Sequence, residues 1–127
     1  MKQALNPATV PTSLPFYSQG IELTGASRLV MVAGQVGVTA GGSVAEGIEA
    51  QARQAFENLN AVVAEAGMTP ADIVKLTIYL TDPDNLGPFM GAAAASLTED
   101  PPATTMLFVN QLSSPELLVE VEAIAAA

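Results

Sequence analysis

The sequence predicts an α+β fold, with two helices packed on one face of a single mixed sheet in the order β-β-α-β-α-β-β. Three observations predict it. Apolar residues recur at helical spacing from Glu46 to Ala66, a period that a strand cannot use. The segments at 29–38 and 73–81 are apolar on both faces, as strands between two covering layers are. The closing stretch LLVEVEAIAAA, 117–127, alternates with a period of two.

Taken in order, residues 1–15 hold Pro7, Pro11 and Pro15 among polar residues and read as an irregular arm. IEL at 21–23 and LVMVAGQVGV at 29–38 are strand material, joined by a turn at Gly25–Ser27. TAGGS at 39–43 is a loop. The first helix carries Ile48, Ala52, Ala55, Phe56, Leu59, Val62, Val63 and Ala66 as its stripe, and Gly67 is placed for its C-cap. TPAD at 69–72 offers Thr69 as an N-cap and Pro70 at the first helical position, one turn before the strand at 73–81. The second helix is expected from about Pro88 through Ala95, ended by Pro101 and Pro102. TTMLFVN at 104–110 and the segment 117–125 are the last strands. No repeat or linker interrupts the chain, which reads as a single domain over 1–127.

Two helices cover one face of such a sheet. The other face is apolar enough to need a cover too, and another copy of the same chain is the economical candidate. In the last strand Leu117, Val119, Val121, Ala123 and Ala125 point to one face; Leu118, Glu120, Glu122 and Ile124 point to the other. Two carboxylates between large apolar residues therefore lie on the face expected at the interface.

Composition narrows the chemistry. The 127 residues carry no cysteine and no histidine, which removes thiolate nucleophiles, disulfides and the commonest general base and metal ligand. The expectation is an intracellular, metal-free protein. Net charge is −9, with Lys2, Arg28, Arg53 and Lys75 the only cations, a balance that repels phosphate backbones and speaks against nucleic acid. Mean hydropathy is +0.38, yet no apolar run reaches the ~18 residues of a membrane span. No export signal is visible either, so a cytoplasmic protein is expected.

Among possible site residues, Gly34-Gln-Val-Gly37 is too short to be a phosphate loop and reads as glycines at a strand end. Arg53 is expected to pair with Glu49 or Glu57 along its helix. Tyr79 is expected to pack. Tyr17, where the arm meets the first strand, is open to two readings, packing or site lining. Glu120 and Glu122 likewise suit either a solvated face or an interface cleft. In a cleft, partial desolvation would raise a glutamate toward the range useful for proton transfer.

Together, YSQGI at 17–21, GQV at 34–36, IEAQARQAFENLNAVVAEAGMTPADIVKLTIYLTD at 48–82, PPATT at 101–105 and VEVEAIA at 119–125 resemble the RidA (YjgF/YER057c/UK114) family. The resemblance implies a chorismate-mutase-like fold and a homotrimer with a small-molecule cleft at each subunit interface. It also implies cofactor-free hydrolysis of reactive enamines and imines to keto acids and ammonia. By this resemblance Glu120 is the catalytic carboxylate that orients or activates water, and Tyr17 lines the cleft. The family's carboxylate-gripping arginine falls on Thr104, and its asparagine on the second helix falls on Met90. Met106, near the motif, makes the expected cleft more apolar still.

The arginine's absence divides the expectations. An arginine fork on a carboxylate is worth about 1.5–3 kcal/mol, and one threonine hydroxyl cannot replace it. The leading expectation is a trimer that binds a small uncharged or weakly polar metabolite and hydrolyses imines weakly. Two others stand beside it: a fully active deaminase with a different anion grip, and a non-enzymatic regulatory trimer.

Overall fold

The computed structural model describes residues 1–127 and places them in two sheets. β1 (Lys2–Leu5) and β2 (Gly20–Leu23) form an antiparallel pair of their own. β3 (Leu29–Val36), β4 (Ile73–Leu80), β5 (Ala103–Phe108) and β6 (Val119–Ala126) form a mixed sheet in the order β3-β6-β4-β5. α1 (Ile48–Glu65) and α2 (Leu86–Ala93) complete the fold. The α+β class, the two helices and the mixed sheet agree with the expectation from sequence. Two features differ. Residues 2–5, expected to be irregular, are a strand, and the N-terminal pair stands apart, so the strands do not form a single sheet. Lys2 helps hold this strand in place, its ammonium donating to the carbonyls of Ala71 at 2.7 Å and Asp100 at 3.2 Å.

The last strand made is the centre of the sheet. β6 runs antiparallel to both β3 and β4, while β4 and β5 run parallel. Both neighbours of β6 are therefore laid down before it, and its alternation decides which side chains meet the helices. Val119, Val121, Ala123 and Ala125 are buried against them. Val32, Ile78 and Leu80 join from β3 and β4, and Ala52, Ala55, Phe56, Leu59 and Val63 from α1. The rings of Phe56 and Phe89 stack across the helix pair, 6.3 Å apart and inclined by 28°.

The helix ends follow their sequence signals closely. Gly67 takes φ +74°, and the amide of Met68 donates to Val63 O at 3.2 Å, the Schellman arrangement that satisfies free carbonyls. Arg28 adds a second cap, donating from Nη2 to Ala66 O at 2.7 Å, where a cation also suits the helix dipole. Thr69 and Asp72 form the capping box of the 3-10 turn Pro70–Asp72. α2 starts at Leu86, earlier than Pro88. A 3-10 turn at Pro83–Asn85, with Asp82 Oδ1 accepting from the Asp84 amide at 2.9 Å, leads into it. Pro88 is tolerated because amides in a first turn have no intrahelical acceptor.

The two glycines of the GQVG stretch are spacing devices. A Cβ on Gly37 would stand 2.5 Å from Gln51 Cα, so this glycine lets β3 run close beside α1. Gln51, buried at that contact, donates to Glu116 O at 3.0 Å and accepts from the Leu118 amide at 2.8 Å, tying the helix to the start of β6. Asn58 does the same for β3, donating to Val36 O at 3.1 Å and Val38 O at 2.8 Å.

Candidate functional site

The residues singled out from sequence divide between the two faces of the four-stranded sheet. Thr104 lies opposite Leu76 and Met106 opposite Ile78 in the parallel β4–β5 register, on the side that carries the helices. There, with Tyr17 and Met90, they line a cavity of about 540 Å³ bounded by α1, α2, β4, β5 and the Tyr17 segment. Four of the five expected site residues thus share one wall. A cavity of this size lies within the range that holds small molecules.

Ser18 fixes that assembly. It is buried, its hydroxyl donates to Pro101 O at 2.6 Å, and its amide donates to Pro102 O at 3.1 Å. The YSQG stretch is thereby bound alongside PPAT, which sets Tyr17 close to Thr104. Ser13 supports the turn before it, donating from Oγ to Tyr17 O at 2.6 Å. The Thr104 hydroxyl is itself engaged, donating to Pro102 O at 3.1 Å, so toward the cavity it has only lone pairs to offer. No charged side chain lines the cavity.

Glu120 is elsewhere. It pairs with Val36 on one side and Tyr79 on the other, on the face without helices. Its carboxylate lies over Gly34, where any Cβ would overlap it. This is what the first glycine of GQVG provides, and a phosphate loop has no part in it. Glu122, one strand repeat away, accepts from the Tyr79 hydroxyl at 2.8 Å. It was expected to pair with backbone or solvent, and Tyr79 to do no more than pack; the long phenol reaches diagonally across the strands and joins them. That bond, with desolvation and the two carboxylates' charge behind it, holds the Tyr79 phenol above its ordinary pKa. Lys75, on the same face, donates to Thr105 Oγ1 at 2.8 Å.

Around this polar centre the open face is apolar. Leu29 is 59% exposed, Met31 68% and Leu107 48%, values that side chains of this size seldom show unless something else covers them. Val32, by contrast, is only 4% exposed and belongs to the core beneath the helices, whereas Ile124 lies on the open face as expected.

An α+β chain with a mixed sheet, two helices on one face and a cavity beside PPAT has known relatives. The sequence profile of the family described as Endoribonuclease L-PSP matches residues 8–127. The chain is 33% identical to a Salmonella typhimurium protein named 2-iminobutanoate/2-iminopropanoate deaminase, over 98% of each chain. Among solved structures it is similar to YyfB of Yersinia pestis, a protein of unknown function in the conserved Rid family. The TM-score is 0.88 at 36% identity, covering 99% of this chain and 98% of that one. RidA from an Antarctic Psychrobacter gives a TM-score of 0.74 at 30% identity, covering 98% and 99%. The chain belongs to the Endoribonuclease L-PSP (YjgF/RidA) family.

No helix is long and apolar enough to cross a membrane.

Proposed function

We propose that this chain is a homotrimer whose small-molecule clefts lie at subunit interfaces, and that it hydrolyses enamines or imines of small metabolites. Its turnover of amino-acid-derived, carboxylate-bearing imines is weak. The observation that carries this reading is the cavity wall at Tyr17, Met90, Thr104 and Met106, which contains no charged side chain. A carboxylate entering it would lose water and gain no counter-ion, a transfer that costs several kcal/mol. The deaminase name borne by the Salmonella relative supports the reaction class.

In this reading Glu120 orients or activates the water that attacks the C=N carbon, releasing ammonia and leaving a carbonyl. Because Glu120 and Thr104 lie on opposite faces of one sheet, a site using both must take them from different copies. Such a contact is head-to-tail, and a head-to-tail contact that closes makes a ring. A ribonuclease role is disfavoured by the charge of −9, which repels a polyanion. The test is ammonia release from freshly generated 2-aminoacrylate, run beside light scattering. A trimer with turnover barely above the uncatalysed rate is expected. A monomer at micromolar concentration, or turnover equal to that of an arginine-bearing relative, overturns the reading.

A further inference from the structure

Asn60 stands on α1 one turn after Phe56, and both line the cavity. It is the only amide side chain in the wall. Its neighbour Asn58 is fully committed, accepting from Gln54 and donating to two β3 carbonyls. The Asn60 side chain makes no hydrogen bond within the protein and is half-buried in the cavity wall, which leaves its donor and acceptor free for a ligand. The other polar side chains of the wall, Tyr17, Ser96, Thr98 and Thr104, each offer a single hydroxyl rather than a paired donor and acceptor. The Thr104 and Thr98 hydroxyls already donate to the carbonyls of Pro102 and Asp100, at 3.1 Å each.

We infer that Asn60 is the specificity-determining residue of this cavity, and that the cavity takes a neutral molecule with an aromatic or branched apolar body and one amide-type polar end. An amide on the ligand pairs donor to acceptor and acceptor to donor with the Asn60 side chain and needs no counter-charge. The body of the ligand lies against Phe16, Met90 and Met106, the lining apolar side chains that keep exposed surface. A carboxylate of the same shape would face the Asn60 oxygen with a second acceptor and would be buried as an unpaired anion. A site built around one hydrogen-bonding group discriminates strongly against a ligand that cannot match it. The inference deepens the proposed function and rests on its reading of the cavity as the small-molecule site.

The experiment titrates the full chain with benzamide and with benzoate, near-isosteric probes that differ in charge, by calorimetry or ligand-observed NMR at neutral pH. Benzamide should bind at least tenfold more tightly than benzoate. Asn60→Leu should weaken benzamide about tenfold, as the loss of a buried hydrogen-bonding partner does, and leave benzoate unchanged. Asn60→Lys should reverse the preference. Asn60→Ala, which keeps a strong helix former, serves as the second variant should leucine disturb the fold. Equal binding of the two probes, binding of neither at millimolar concentration, or benzamide binding indifferent to Asn60 overturns the inference. Assembly and turnover do not enter this readout. A monomeric or inactive protein that prefers benzamide through Asn60 would refute the proposed function alone. A weakly active trimer that prefers benzamide over benzoate regardless of Asn60 would refute this inference alone.

Discussion

At the scale of single residues, charge is sorted by face. The cavity wall has none, while the open face of the sheet gathers Glu120, Glu122 and Lys75 around Tyr79 on adjacent strands. Tyr79 makes the electrostatics of that centre measurable. Its folded pKa is raised, so the protonated phenol is favoured in the native state. The stability it contributes is complete below the ordinary phenol pKa of about 10 and is lost as pH climbs through the raised value. The chain has two tyrosines and no tryptophan, so a Tyr17→Phe background leaves one phenol to follow by near-ultraviolet absorbance. Glu122→Gln in that background should move the Tyr79 midpoint down, because the carboxylate's charge and its strong acceptor are both removed. An unmoved midpoint would mean that the hydrogen bond does not persist in solution.

At the scale of elements, the helices and the central strand were legible because each carries its own period. The stripe of α1, the cap at Gly67 and the alternation of 117–125 were all written locally, and each corresponds to a buried or satisfied group. Residues 2–5 were not legible. Four residues of mixed polarity ahead of a proline carry no strand signal, and their order comes from pairing with Gly20–Leu23 and from Lys2 anchoring. The candidate site was legible as a set of residues but not as an arrangement. Parity within one strand shows that Glu120 and Glu122 share a face. Relating Thr104 to Glu120 needs the register of β5 on β4 and of β4 on β6, and no local pattern encodes it. Asn60 was missed because an asparagine on a helix is ordinary in sequence; only the cavity beside it gives it meaning. Where α1 meets the sheet, Leu59 is fully buried, and Leu59→Ala should cost about 2–5 kcal/mol of unfolding free energy in urea titration. A loss under 1 kcal/mol would contradict the core described here.

At the scale of the whole molecule, the uncovered face decides the account. Leu29, Met31 and Leu107 expose apolar surface of the kind that a partner's face covers. Two substitutions separate this face from the core. Ile124→Glu adds a third carboxylate to the open side of β6 and should dissociate the assembly while leaving a folded chain, as read by light scattering with circular dichroism. Val32→Glu places an unpaired charge beneath the helices and should unfold the protein outright. If Ile124→Glu remained a trimer, that face could not be the interface.

On the proposed reading, the family reaction and this chain's departure from it meet at Thr104, and one measurement reads both. Thr104→Arg would place a cation in a wall that has none, beside Tyr17. A clamp on the substrate carboxylate acts by fixing orientation, and each ~1.4 kcal/mol of transition-state stabilisation is tenfold in rate. Ammonia release from 2-aminoacrylate by the folded Thr104→Arg trimer should rise roughly ten- to a hundredfold over wild type, the gain that one charge-assisted hydrogen bond can supply. In the same proposed reading Met90 stands where the family has an asparagine, so the gain should stop short of full activity. A correctly assembled Thr104→Arg protein with no gain at all would contradict the claim that this one residue separates the chain from carboxylate-imine turnover.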